Sequence, residues 1–149
     1  MSLPTPRPIG KNGVLIHGTC VSFDNRAVLI CGAAGSGKSS LALQLIGLGA
    51  RLVADDQTIL SEKSGALMAT CPDALKGLIE ARGVGVMRVD HQSSAVVELV
   101  VDLNELEEDR LPERRQASLL GIDLPLAFRV DAPHFAVSLS IYLKNGRHD

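Results

Sequence analysis

Eight consecutive residues carry the densest chemistry in this chain. Gly32-Ala33-Ala34-Gly35-Ser36-Gly37-Lys38-Ser39 fits G-x-x-x-x-G-K-[ST], the pattern of a loop that cradles the phosphates of a nucleoside triphosphate. Gly35 and Gly37 let the backbone aim several N–H groups at one point, which makes an anion nest. A helix beginning at Lys38 adds the positive end of its dipole. Lys38 supplies a mobile cation for the β- and γ-phosphates, and the Ser39 hydroxyl suits the octahedral shell of Mg²⁺. Ser40 stands where the third glycine of a dinucleotide fingerprint belongs, so a nicotinamide site is excluded.

Two further groups lie near this loop in sequence. Asp55-Asp56 closes the apolar run Leu52-Val53-Ala54, the place for a carboxylate that holds Mg²⁺ or accepts the proton of an incoming hydroxyl. Adjacent residues at a strand end point to opposite sides, so one acid faces the nucleotide and the other braces the turn. The residues alone leave open which is which. His17, in Ile16-His17-Gly18, reads on its apolar neighbours as a core histidine, with catalysis as the alternative. His91, His134 and His148 have no partner spacing for a metal. No NKxD string follows the loop, so a GTPase is excluded.

These groups need elements to hold them. Val14–Phe23 and Ala27–Cys31 read as strands around an Asp24-Asn25-Arg26 turn. A helix is expected from Lys38 to about Leu48, with Leu41, Leu45 and Leu48 on one face and Gly49 as its stop. Arg51–Ala54 is a short strand. Gln57–Ser61 and Ala66–Cys71 form a hairpin around Lys63-Ser64-Gly65, and a short helix starts near Pro72-Asp73. Leu78–Val89 is a glycine-rich string. Ala95–Leu103 is the strongest strand, Asn104–Arg115 a charged loop or ragged helix, and Leu124–Val130 a last strand. Asp131-Ala132-Pro133 starts a closing helix over His134–Leu143, with a strand as competitor. The expected architecture is an extended, poorly ordered lead-in over residues 1–12 and one P-loop domain over 13–149. Its fold class is α/β, a mixed β-sheet core with flanking helices.

Composition narrows the function. The 149 residues are 46% hydrophobic, with 15 basic against 17 acidic residues and a net charge of −2. That balance excludes a disordered tail and a polycationic nucleic-acid clamp. Aromatics make up 3%, with no Trp, too few to build base-stacking platforms. Cys20, Cys31 and Cys71 fit no zinc spacing and read as buried thiols of a reducing compartment. No run reaches the length of a membrane span. A cytoplasmic protein without nucleic-acid or membrane partners is expected.

Taken together, four features resemble the catalytic domain of HPr kinase/phosphorylase: Ile16-His17-Gly18, the phosphate loop, Leu52–Asp56, and Ile79-Glu80-Ala81-Arg82-Gly83-Val84-Gly85-Val86. The last is similar to the family signature L-E-x-R-G-x-G-[IV] and is the most specific. The resemblance runs from about Val14 to Val101. It implies an HPr-kinase-like fold and an ATP- and Mg²⁺-dependent serine kinase acting on an HPr-type phosphocarrier. Inorganic phosphate and pyrophosphate are implied for a reverse, phosphorylase reaction, and a homo-oligomer for the assembly. By resemblance, His17 and Arg110 are active-site residues, with Lys38 as the phosphate lysine. Ser39 and Glu80 become Mg²⁺ ligands. Asp56 becomes the proton acceptor in phosphorylation and donor in reverse, and His17 is placed to hydrogen-bond it.

The chain departs from the family in three places. About a dozen residues precede the first strand, where long forms carry an N-terminal domain, so the short form is expected. Arg88–Ser94 replaces a longer glycine-rich insertion. Asp131-Ala132-Pro133-His134-Phe135 stands where the family has R-P-G-R-N, so two phosphate-attracting arginines are replaced and an acid is added. The alternatives are an ATP-binding regulatory module without turnover and a small-molecule kinase; no lid segment supports the latter.

Overall fold

The computed structural model describes residues 3–10 and 13–149. Residues 1, 2, 11 and 12 of the expected lead-in lie outside that range. Arg7–Ile9 of the lead-in is a strand, β1, paired antiparallel with β2, Gly13–Phe23. β3 covers Arg26–Cys31, α1 Lys38–Gly47 and β4 Arg51–Ala54. β5, Gln57–Lys63, and β6, Ala66–Thr70, form the expected hairpin. A 3₁₀ turn at Asp73–Leu75 precedes β7, Leu78–Ala81, and β8, Gly85–Arg88. β9 spans Ser94–Leu106, β10 Arg115–Leu119, β11 Ile122–Arg129 and α2 Phe135–Asn145.

The closing segment is therefore a helix, not the competing strand. Two expectations need correction. The charged stretch after Leu103 is neither loop nor helix at its ends: β9 runs on to Leu106, and Arg115 opens β10, which pairs with β11. Leu48 does not share the buried face of α1. It is 39% exposed, while Leu41 and Leu45 are buried.

Strand pairing closes on itself. β2 pairs with β5, β5 with β6, β6 with β9, β9 with β3, and β3 with β2. β11 and then β10 extend outward from β9. Alternation along β3 shows how this makes two cores. Ala27, Leu29 and Cys31 face inward, among Ile16, Cys20, Leu60 and Val97. Val28 and Ile30 face outward, where α1 (Leu41, Ala42, Leu45) and α2 (Ala136, Leu139, Leu143) cover them. Cys31 sits deep enough that burial pushes its thiol up to about 12, and burial raises Cys20 as well.

The turns are encoded locally. Asp24-Asn25 and Ser64-Gly65 both take positive φ, as the two-residue turns that suit twisted hairpins require. At the end of α1, Gly49 N–H donates to Ile46 O and Ala50 N–H to Leu45 O, a Schellman closure with Gly49 at C′. β4 and β5 then lie in succession along one edge of β2: β4 pairs with Cys20–Ser22 and β5 with Val14–His17. The break between them is Asp55-Asp56. That break positions the site.

Candidate active site

The phosphate loop leaves β3 and enters α1 without a side-chain cap. Gly37 is the N-cap, at φ 103°, and no acidic residue lies in the first turn. Orphan N–H groups at the helix start are thus left for an anion. Gly35, at φ 81°, supplies the second left-handed position. Lys38 is 7% exposed, and its Nζ donates to Gly32 O at 2.9 Å and Ala33 O at 3.2 Å. Ala33 N–H donates to Asn104 Oδ1 at 2.9 Å, so the extension of β9 anchors the loop from beneath. Asn104 lies in the stretch read from sequence as a charged loop or ragged helix.

Asp55 joins three elements. Its Oδ1 accepts from Ser39 Oγ at 2.7 Å and from Thr19 Oγ1 at 2.9 Å, and its Oδ2 accepts from Glu80 N–H at 3.2 Å. The helix, β2 and β7 therefore meet on one carboxylate. Beside it, Asp56 turns the other way. Its φ is 66°, and Gln57 N–H donates to Asp55 O across it at 2.7 Å, which makes a tight three-residue turn. A non-glycine residue held there costs about 1–3 kcal/mol, and such strain gathers at functional sites. Asp56 N–H donates to Thr19 Oγ1, and Gly18 N–H to Asp56 O. These bonds present the carboxylate to His17, whose Nε2 lies 2.6 Å from Asp56 Oδ1. Both side chains are exposed, at 45% and 61%. His17 thus sits at the rim and is not a core histidine.

A cavity of about 460 Å³ collects both acids and the loop, with His17 outside its lining and joined to it through Asp56. Ala34, Gly35, Gly37, Lys38, Ser39 and Ser40 line one wall, and Asp55, Asp56, Glu80 and Arg82 the other. Ala33 and Ser36 belong to the loop behind it; Ser36 Oγ is buried with no hydrogen-bond partner among the described residues. Arg110 is exposed in the segment between β9 and β10, outside the residues that line the cavity. The sequence reading missed the bond of Asp55 to Ser39, the hydroxyl of Thr19 shared by both acids, and Arg82 on the wall. Arg82 lies inside the glycine-rich signature, which was the available signal.

The donor set suits Mg²⁺. That ion takes one or two carboxylates, keeps several waters and completes its shell with substrate phosphates. Ser39 and Asp55 already converge, with Glu80 on the same cavity, and no cluster of three or more His, Cys, Asp or Glu is present among the described residues to form a closed protein cage. Among the described residues no helix is long and apolar enough to cross a membrane.

The family model described as the HPr Serine kinase C-terminal domain matches residues 11–127. An HPr kinase/phosphorylase of Peptoclostridium acidaminophilum is 35% identical over 141 residues, covering 89% of this chain and 44% of that protein. One from Xylella fastidiosa is 47% identical over 77 residues, covering 51% of this chain and 24% of its own length. The chain thus spans less than half the length of these relatives. The structure of the Hpr(Ser) kinase/phosphatase from Coxiella burnetii aligns with a TM-score of 0.73 at 26% identity, covering 88% of this chain and 94% of that one.

Proposed function

The chain belongs to the HPr serine kinase C-terminal domain family, and from that premise we propose that it transfers the γ-phosphoryl group of ATP to a seryl hydroxyl of an HPr-type phosphocarrier. The observation that carries this reading is the division of labour between neighbouring acids. Asp55 is held by Ser39 at the phosphate loop, whereas Asp56 is turned toward the rim and paired with His17. A nucleotide-binding module needs the first arrangement; the second supplies a proton acceptor for an incoming hydroxyl, which binding alone does not require.

In this reading the loop N–H groups and Lys38 hold the β- and γ-phosphates. Ser39, Asp55 and Glu80 would hold Mg²⁺, which when bound neutralises charge on the transferred group. Asp56 takes the seryl proton as the hydroxyl attacks, and His17 orients the Asp56 carboxylate. Arg82 on the cavity wall offers a cation to the developing charge. Arg110 stands outside the lining of the cavity and is given no step in this reading.

The forward direction is favoured over phosphorolysis. Arg129 Nε donates to Asp131 Oδ1 at 2.8 Å and its Nη1 to Leu103 O at 2.8 Å. The acid that stands in place of the family's basic stretch thus occupies Arg129. A homo-oligomer, an intracellular location and the extent of the domain over 13–149 complete the proposal.

Incubation with γ-labelled ATP, Mg²⁺ and a purified HPr-type carrier tests it. Label is expected on a carrier serine and absent with Lys38→Ala. Absence of label on the carrier with the native chain, under conditions where nucleotide binds, overturns the kinase reading in favour of a regulatory module.

A further inference from the structure

A second cavity, of about 390 Å³, opens at the opposite end of the same strands, lined by Ser22, Asp24, Asn25, Gly49, Arg51 and Gln92. Its size lies within the range of small-molecule sites. Ser22 stands cross-strand from Arg51 in the β2–β4 register, so the two side chains leave one face of the sheet side by side. Ser22 is 1% exposed, and its Oγ has no hydrogen-bond partner among the described residues. Buried hydroxyls are ordinarily paired, so this one calls for an explanation.

The charges point the same way. Arg51 and Asp24 face one cavity, yet among the described residues neither forms an ion pair with the other or with any third group. Gly49 is the C′ residue of α1, so the negative end of the helix dipole lies at this wall. Gln92 Nε2 is engaged by Asn25 Oδ1 and Ser94 O, which leaves its carbonyl as an acceptor. The cavity therefore presents a guanidinium beside a hydroxyl donor, together with a carboxylate and the C-terminal end of a helix.

We propose that this cavity binds a free α-amino acid as its zwitterion. The carboxylate lies on the Arg51 guanidinium and Ser22 Oγ, and the ammonium points to Asp24 and the C-terminal end of α1. A simple anion would meet Asp24 and the helix end unfavourably, and a simple amine would meet Arg51. A ligand carrying both charges offers a partner to each.

The test is thermal melting of the full chain with each standard L-amino acid at millimolar concentration, followed by titration calorimetry of the strongest. At least one amino acid is expected to raise the melting temperature saturably. Its N-acetyl derivative and its decarboxylated amine should each lose about tenfold or more in affinity, as should the native amino acid with Arg51→Gln or Ser22→Ala. Melting of the unliganded variants checks that they fold. The proposal is overturned if no amino acid shifts the melt, if folded Arg51→Gln binds as tightly as the native chain, or if inorganic phosphate or the amine alone binds as well.

Discussion

His17 Nε2 and Asp56 Oδ1 lie 2.6 Å apart across 39 residues of sequence, and the contact depends on β5 pairing with β2 through His17↔Gln57. That register brings the turn at Asp56 against the middle of β2. A shift by one residue would send His17 to the opposite face.

Asp56→Asn is expected to bind nucleotide as the native chain does while phosphotransfer falls by about 10²-fold or more. Asn tolerates the left-handed backbone at this position, so the fold survives. His17→Gln should slow transfer less, because in the proposed mechanism it removes the partner of the proton-accepting Asp56 and not Asp56 itself. Single-turnover transfer rates beside nucleotide titrations check both; weakened nucleotide binding in Asp56→Asn would remove the distinction between the two acids.

Asp55→Asn should act on the metal. Its carboxylate meets Ser39, Thr19 and the Glu80 backbone, so in the proposed mechanism neutralising it removes one of the charges that would hold Mg²⁺. The expected result is that Mg²⁺ no longer tightens nucleotide binding, with affinity for metal-free nucleotide unchanged or improved. Titrations with Mg²⁺ and with EDTA read this directly.

Gly18→Ala probes the packing beneath His17. A Cβ there would lie 3.0 Å from Ile30 O and 3.3 Å from Leu29 Cδ1, and the nearer contact is backbone that cannot swing aside. Overpacking of this kind destabilises by about 1–3 kcal/mol. Urea unfolding should show the loss, whereas Gly35→Ala, with open space around its Cβ, should be penalised through its left-handed backbone instead.

Acid stability has an identifiable contributor. Arg115 donates to both oxygens of Glu107 at 3.2 Å and 3.0 Å and holds that carboxyl below its ordinary range. The folded value is lower than the unfolded one, near 4.3, so the stabilisation is complete above that pH and is lost as pH falls through the folded value. As pH falls below about 4.3, the native chain should therefore lose unfolding free energy more steeply than Glu107→Gln. Parallel slopes would remove Glu107 from the account.

Much of the molecule is written in local pattern. The phosphate loop needs only its glycines, Lys38, an apolar strand before it and an amphipathic helix after it, all within a span of neighbours. The Asp24-Asn25 and Ser64-Gly65 turns and the Gly49 stop are equally local, because φ preference belongs to single residues. The family, too, was legible in Ile16-His17-Gly18 and in Ile79–Val86. Other features depend on long-range pairing. Arg115 reads as the end of a charged loop or ragged helix until β11 pairs with it, and Asn104 as its start until β9 carries it to Ala33. The roles of Asp55 and Asp56 could not be separated by alternation, since the positive φ of Asp56 breaks the strand rule on which alternation rests. Their bonds to Ser39 and His17 follow from β4 and β5 meeting end to end on β2. Residue types and spacing thus determine the phosphate loop, whereas the register of distant strands decides which carboxylate meets Ser39 at that loop and which meets His17.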